Sequence, residues 1–439
     1  MRNRSTIGAA IAVGAVTLLT SGCLSSGGDG GGGSNNTSNE IELMYGFTGN
    51  QDQVFQSVMK EWAGQNDVTI QFSPTPDFNS LINTRVQGNQ LPDIAIFPQP
   101  GILRTMAERG VLSDVSEAVD MDDLEANMLP GAIEAGQGED GTQYGILMSS
   151  NIKSVVYYPK AGAEQAGLTT PPATFDDLLS LSKTVAATGT TPWCFGIENG
   201  PGTGWPATDW VENLMLINYG SDVYNQWVQH EIPFNDPRVL EVLNQMEELL
   251  LAPGETNGGR EAIASNNFQT AGNPMFDTPP GCYMYRQGNF LTQQGFFPDA
   301  VVDTLDDTVG VFPMPGTSAD SSPVLGGGDL AGLFSGDNES AQKTLAYMAS
   351  VDFQNKMAKE LTSYLAPRSD VDPANYPSDT SRNFATIQNE ATDWAFDGSD
   401  QMPGAVGSGS FWKEMTAWIA GEIDAQTALD NIEASWPAS

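Results

Sequence analysis

Apolar and polar positions between residues 41 and 109 follow two periods in turn. Residues 41–47 (IELMYGF) read as a strand. Val54, Phe55, Val58, Met59 and Trp62 then recur at helical spacing over 50–62, and Val68, Ile70 and Phe72 alternate as a strand does. A helix over 78–86, a short apolar strand at 93–97 and a helix over 101–109 follow. Strand and helix in alternation, joined by short links, predict an α/β fold with a mostly parallel sheet and helices on its faces. Ligands bind beyond the carboxyl ends of such strands. Two polar loops stand there, one with Thr48 and Gln51 and one with Gln99. Ordinary turn chemistry accounts for each of these residues equally well.

Further along, 144–158 is an extended run with polar Ser149, Asn151 and Lys153 inside it, long enough to cross between two lobes. Thr174 and Asp177 have capping-box spacing ahead of a helix over 175–187. Asp236-Pro237 starts another helix, with proline at its first position and an apolar face of Leu240, Leu243, Met246 and Leu250. A strand carrying Cys282 ends at Arg286-Gln287-Gly288-Asn289. Strands at 308–314 and 322–334 follow, the second containing Gly326-Gly327-Gly328-Asp329. Helices over 340–349 and 353–361, and a tail of one loop and two helices from Trp394, complete the pattern.

The densest chemistry lies at 191–210, TPWCFGIENGPGTGWPATDW. Trp193, Trp205 and Trp210 stand beside Glu198 and a glycine-rich turn. A sugar offers C–H faces to indole rings and hydroxyls to fixed acceptors, so this stretch is a candidate sugar site. The same tryptophans are equally readable as core.

Composition narrows the class. The chain has 439 residues, which suggests two or three cores, and it is 40% hydrophobic and 17% charged, as globular proteins are. Lys+Arg number 18 against 55 Asp+Glu, a net charge of -37 that repels nucleic acid and anionic headgroups. The single histidine, His230, leaves almost no material for a histidine-based triad or metal centre, and neither a metal nor a cofactor is expected. At the start, Arg2 and Arg4 precede an apolar run to Leu19 and then Thr20-Ser21-Gly22-Cys23, which reads as a secretory signal too short to span a membrane. Residues 24–39 form a Gly/Ser/Asn tether. Export makes Cys194 and Cys282 a disulfide candidate, the alternative being two buried thiols.

The cysteine placement resembles a bacterial lipoprotein box, which implies a signal peptide over 1–22 and a lipidated Cys23 on the tether 23–40. With LPDIAIFPQPG at 91–101, FSGDNESAQKTLAYMAS at 334–350 and the tail from Met402, residues 41–439 resemble the solute-binding proteins of bacterial ABC importers, the maltose-binding-like group. TPWCFGIENG, WVQHEIPFNDP (227–237) and GCYMYRQGNF are similar to its α-glucoside-binding branch, where the two cysteines typically pair; Gly288-Asn289 stands where that branch would have Ala-Ser. The resemblance implies a type II-like periplasmic-binding fold of two lobes, each a mostly parallel sheet with flanking helices, joined by a hinge. The expected organisation is a first lobe over 41–150, a second over 151–300, a return to the first over 301–350, and a helical segment over 351–439 completing lobes and hinge. It further implies ligand contacts from Thr48, Gln51 and Gln99 in the first lobe, Ser149 and Asn151 near the hinge, and Glu198, Trp205, Arg286 and Asn289 in the second lobe. Asp329 would come from a returning hinge strand, and Trp412 would stack on the sugar unless it is core. The function implied is capture of an α-glucoside or oligosaccharide by a monomer at the outer face of the cytoplasmic membrane, for delivery to an ABC permease. The rival from residue chemistry alone is a secreted glycoside hydrolase, since carboxylates and tryptophans build those sites too.

Overall fold

In the computed structural model, residues 39–437 apart from 165 and 169 are described; the expected signal peptide, Cys23 and the tether as far as residue 38 lie outside them. Nine strands among these residues form two sheets. They are β1 (Glu40–Tyr45), β2 (Thr69–Pro74), β3 (Ile94–Phe97), β4 (Gly145–Ile152), β5 (Val155–Pro159), β6 (Tyr285–Gln287), β7 (Val309–Pro313), β8 (Pro323–Leu333) and β9 (Asp393–Phe396). The large sheet has the order β2-β1-β3-β8-β4, with β9 paired to the start of β8; the small sheet has the order β6-β5-β7.

The sheets follow the expected parallel pattern only in part. β2, β1 and β3 are parallel, joined by the helices Gly49–Gln65 and Phe78–Gln87. β8 runs antiparallel to both β3 and β4, and both pairings of the small sheet are antiparallel. The reason is the path of the chain. It leaves the large sheet on β4 and enters the small one on β5, then leaves the small sheet on β7 and returns on β8. Strands that carry a chain out and back, lying side by side, must run in opposite directions. The return is later than expected: the segment from 301 still contributes β7 to the small sheet, and the large sheet is rejoined at Pro323.

The apolar positions sort into two cores. One holds Leu43, Phe55, Ile82, Ile94, Leu103 and Leu330 around the large sheet. The other holds Trp193, Trp210, Trp227, Leu243, Phe411 and Leu429 under the helices Trp205–Val228, Pro237–Met246 and Ala425–Glu433. The strand period divides β5 between them: Val155 and Tyr157 face the first core and Val156 the second. The helix Phe175–Ala187 begins on the expected capping box, with Thr174 Oγ1 accepting from Asp177 N at 3.1 Å.

Lys153-Ser154 joins β4 to β5 and ties the crossings together. Lys153 N donates to Leu325 O at 2.7 Å, Leu325 N to Ser154 Oγ at 2.8 Å, and Met314 N to Ser154 O at 2.8 Å. Cys194 and Cys282 form a disulfide, their Cα atoms 5.5 Å apart. No helix among the described residues is long and apolar enough to cross a membrane.

Candidate functional site

Strand direction decides which residues can meet. β1, β3 and β4 all point the same way, and β8 points back. The carboxyl ends of the first three and the beginning of β8 therefore share one edge of the large sheet. Thr48 and Gln51 follow β1, Gln99 follows β3, Ser149 and Asn151 lie at the end of β4, and Asp329 pairs across from Ser149. All six expected first-lobe and hinge residues occupy this edge, as the ligand rule for α/β sheets requires. In the small sheet, β6 pairs Gln287 with Val155, so Asn289 and Arg286 also end up at the crossing.

Their commitments differ. Thr48 is exposed and its side chain does not cap the helix it precedes; Gln51 is half-buried. Ser149 Oγ donates to Asp329 Oδ2 at 2.7 Å, while burial pushes the Asp329 carboxyl above its ordinary range against that hydrogen bond. Asn151 is half-buried and its Oδ1 has no hydrogen-bond partner among the described residues. It sits opposite Gly327, where an added Cβ would stand 3.0 Å from that oxygen. Glu198 Oε1 accepts from Gly200 N at 2.8 Å and Oε2 from Asn267 Nδ2 at 2.7 Å; these bonds, the backbone one first, hold its carboxyl below the usual range.

Two expected residues are placed as scaffolding instead of as free ligand groups. Asn289 is 1% exposed, accepts from Ile152 N at 2.9 Å and donates to Ser363 O at 2.7 Å, so both ends of its amide clasp backbone at the crossing. Arg286 is 2% exposed, donates to Asp209 O at 2.9 Å and lies 5.3 Å over the Trp210 ring. Both are enclosed, the Asn289 amide fully engaged and the Arg286 Nε without a partner among the described residues, which the polarity of the motif did not reveal.

The tryptophans separate. Trp193 and Trp210 are core, 0% and 1% exposed and edge-to-face at 5.4 Å. Trp205 and Trp412 stay half-buried. Trp205 is the first residue of Trp205–Val228, capped by Gly204 at φ 115°. A Cβ on Gly204 would lie 2.3 Å from Trp412 O, so only glycine lets these two tryptophan-bearing segments approach. Trp412 Nε1 is buried without a partner among the described residues.

Sequence reading missed a charged group beside these rings. Lys153 Nζ lies 5.3 Å over Trp205, 3.2 Å from Asp209 Oδ1 and 4.0 Å from Asp400 Oδ2, and is bonded to Asp397 Oδ2. Glu212 accepts from Gly398 N at 2.7 Å and Ser399 N at 3.2 Å. Burial pushes Asp209 up to about 7 against the pull of Lys153. Asp397, which burial alone would raise, is brought down to about 2 by the same ammonium. Asp209, Glu212 and Asp397 bring carboxylate oxygens within 4.8 Å of one another, and Lys153 supplies the positive charge there. The signals in the sequence were Lys153 inside the apolar run 144–158 and acidic residues beside Trp210 and Phe396, which 55 acidic side chains drown out. A cavity of about 540 Å³ lies elsewhere: Glu247, Arg260, Trp418 and Asp424 line it, and it holds none of the expected ligand residues.

A two-lobed α/β body with polar side chains and half-buried indoles gathered where the lobes join has the form of a ligand receptor. The chain belongs to the bacterial extracellular solute-binding proteins, whose family pattern matches residues 57–386; it is a binding protein and not an enzyme. It is 33% identical over 399 residues to the osmoprotective compounds-binding protein GgtB of Synechocystis sp., covering 91% of this chain and 92% of that one. It is 31% identical over 396 residues to the alpha-glucosides-binding periplasmic protein AglE of Rhizobium meliloti, covering 88% and 85%. Its fold is similar to that of the bacterial solute receptor AcbH, described as having an exclusive preference for β-D-galactopyranose, with TM-score 0.74 and 18% identity over 90% of this chain and 97% of that one.

Proposed function

We propose that this protein captures an α-glucoside, of a size between a disaccharide and a short oligosaccharide, by closing its lobes, and hands it to an ABC permease. The observation that carries the reading is convergence. Thr48, Gln51, Gln99, Ser149, Asn151 and Asp329 lie on one edge of the large sheet, and Trp205, Trp412 and Glu198 come from the other side of the crossing. Hydroxyls would exchange water for fixed polar partners while C–H faces cover the indoles. AglE supports an alpha-glucoside, and GgtB together with the net charge of -37 favours an osmoprotective one, since an acidic surface suits a salty medium. We also propose that residues 41–152 and 323–360 make up most of the first lobe, 155–313 most of the second, and that Cys23 carries the lipid anchor.

A thermal-shift panel of maltose, trehalose, sucrose and galactose tests it. A ligand at 100 times its Kd adds about 2.7 kcal/mol of stability, so a true ligand gives a clear rise in Tm. No rise with any α-glucoside, or a response to galactose alone, would overturn the assignment. Incubation with the responding sugar should yield no product.

A further inference from the structure

Two helices meet at the seam between the lobes. The N-terminus of Pro100–Glu108, which packs on β3 and β8, rests on the short helix Gly398–Gln401, which packs on Trp205–Val228. The approach is close at the backbone: a Cβ on Gly101 would stand 3.0 Å from the carbonyl oxygens of both Asp400 and Met402. One side-chain chain bridges it. Asn79 Nδ2 donates to Gln99 Oε1 at 2.9 Å, and Gln99 Nε2 donates to Asp400 Oδ1 at 2.8 Å. Beside it, Arg104 Nη1 donates to Gln401 O at 3.4 Å.

We propose that the seam at Gln99 and Asp400 is a latch between the lobes whose closing buries the Asp400 carboxyl, so that closure is linked to proton uptake. The proposal rests on the lobes opening and closing as a receptor's must, but not on which sugar is bound.

The charges around Asp400 give the sign. From its own segment comes Asp397, whose Oδ1 accepts from Asp400 N at 3.0 Å. Asp209 and Glu212 come from the long helix, Lys153 from the connector, Arg286 from β6, and Arg104 from the helix that carries the seam. Asp209, Glu212, Asp397 and Asp400 thus share the buried cations Lys153 and Arg286. Burial first, and the Asp397 charge second, push Asp400 up to about 8 against the pull of Lys153. Parting the seam admits water and relieves the burial that is the largest cause of the rise, which outweighs the loss of the Gln99 hydrogen bond and returns the carboxyl toward its ordinary 3.8. The closed form therefore holds a proton that the open form releases. Closure has its full advantage in acid and loses it as pH rises toward about 8, by up to about tenfold per pH unit for one proton.

Small-angle scattering of the ligand-free chain between about pH 6 and about pH 9 tests this, at about 1 M NaCl, where a Debye length of about 3 Å quiets surface repulsion. The wild type should expand progressively as pH rises from about 6 toward about 8 and change little above that. Asp400→Asn keeps the acceptor oxygen and cannot ionise, so it should stay compact throughout. Gln99→Glu, at a half-buried position that a carboxylate tolerates, should be expanded across the range. A wild type of constant radius, or an Asp400→Asn chain that still expands with pH, would overturn the latch. Sugar binding measured on the same samples keeps the two readings apart: binding without a pH transition removes the latch alone, and a transition without binding removes the sugar assignment alone.

Discussion

Glu198 and Trp412 carry most of the proposed recognition that a single substitution can reach. Glu198 is held charged by Gly200 N and Asn267, so its free lone pairs are fixed acceptors. Glu198→Gln should weaken sugar binding by about tenfold in a calorimetric titration. Trp412→Ala should weaken it at least as much with little change in unliganded Tm. If Trp412 acts only as core, the variant instead loses several kcal/mol of unliganded stability, about 3–5 by the usual cost of such truncations. Lys153 is a different case. It neutralises carboxylates buried in the second core, so Lys153→Met should cost about 3–5 kcal/mol in chemical denaturation by stranding them; a loss under about 1 kcal/mol would mean the group rearranges. At this scale the sequence was half legible. Trp205 and Glu198 stand out as candidates by keeping polar company in an apolar stretch. Asp209 and Asp400 did not, because an acidic residue is informative only where acids are scarce, and Arg286 looked available because a motif records polarity and not the partners that consume it.

Elements are easier to read than residues. Helical and strand periods locate β1 to β3 and their helices, because each has one buried face and one wet one. Pairing direction is not legible, since a strand's side-chain period is the same in parallel and antiparallel neighbours, and only the path of the chain between lobes decides it. The long run at 144–158 is a crossing, as its length suggests, though it is two strands broken at Lys153-Ser154. Two elements can be tested directly. A non-reduced tryptic digest should yield the Cys194–Cys282 peptide pair. Reduction should cost up to about 4–5 kcal/mol, the loop-entropy value for a sequence separation of 88; free, alkylatable thiols in the native protein would refute the bond. Gly204→Ala should disturb the start of Trp205–Val228, through both φ 115° and the Trp412 carbonyl, at about 1–3 kcal/mol or more, read as a fall in Tm.

For the whole molecule, the net charge sets the expectation. With a net -37 the surface repels itself, and the Debye length falls from about 30 Å at 0.01 M salt to about 3 Å at 1 M. Tm should therefore rise with NaCl over that range, and a flat profile would show that repulsion contributes little. The out-and-back path of the chain has a further consequence, this one for biosynthesis. β3 has no inner neighbour until β8 is made, because Ile94 pairs with Leu333. At about 5–20 residues per second, a ribosome needs on the order of tens of seconds to bridge that interval. Throughout it the first lobe exists as an incomplete sheet with an unsatisfied edge. Such a topology delays completion of the first lobe, which would suit a polypeptide exported before it takes shape.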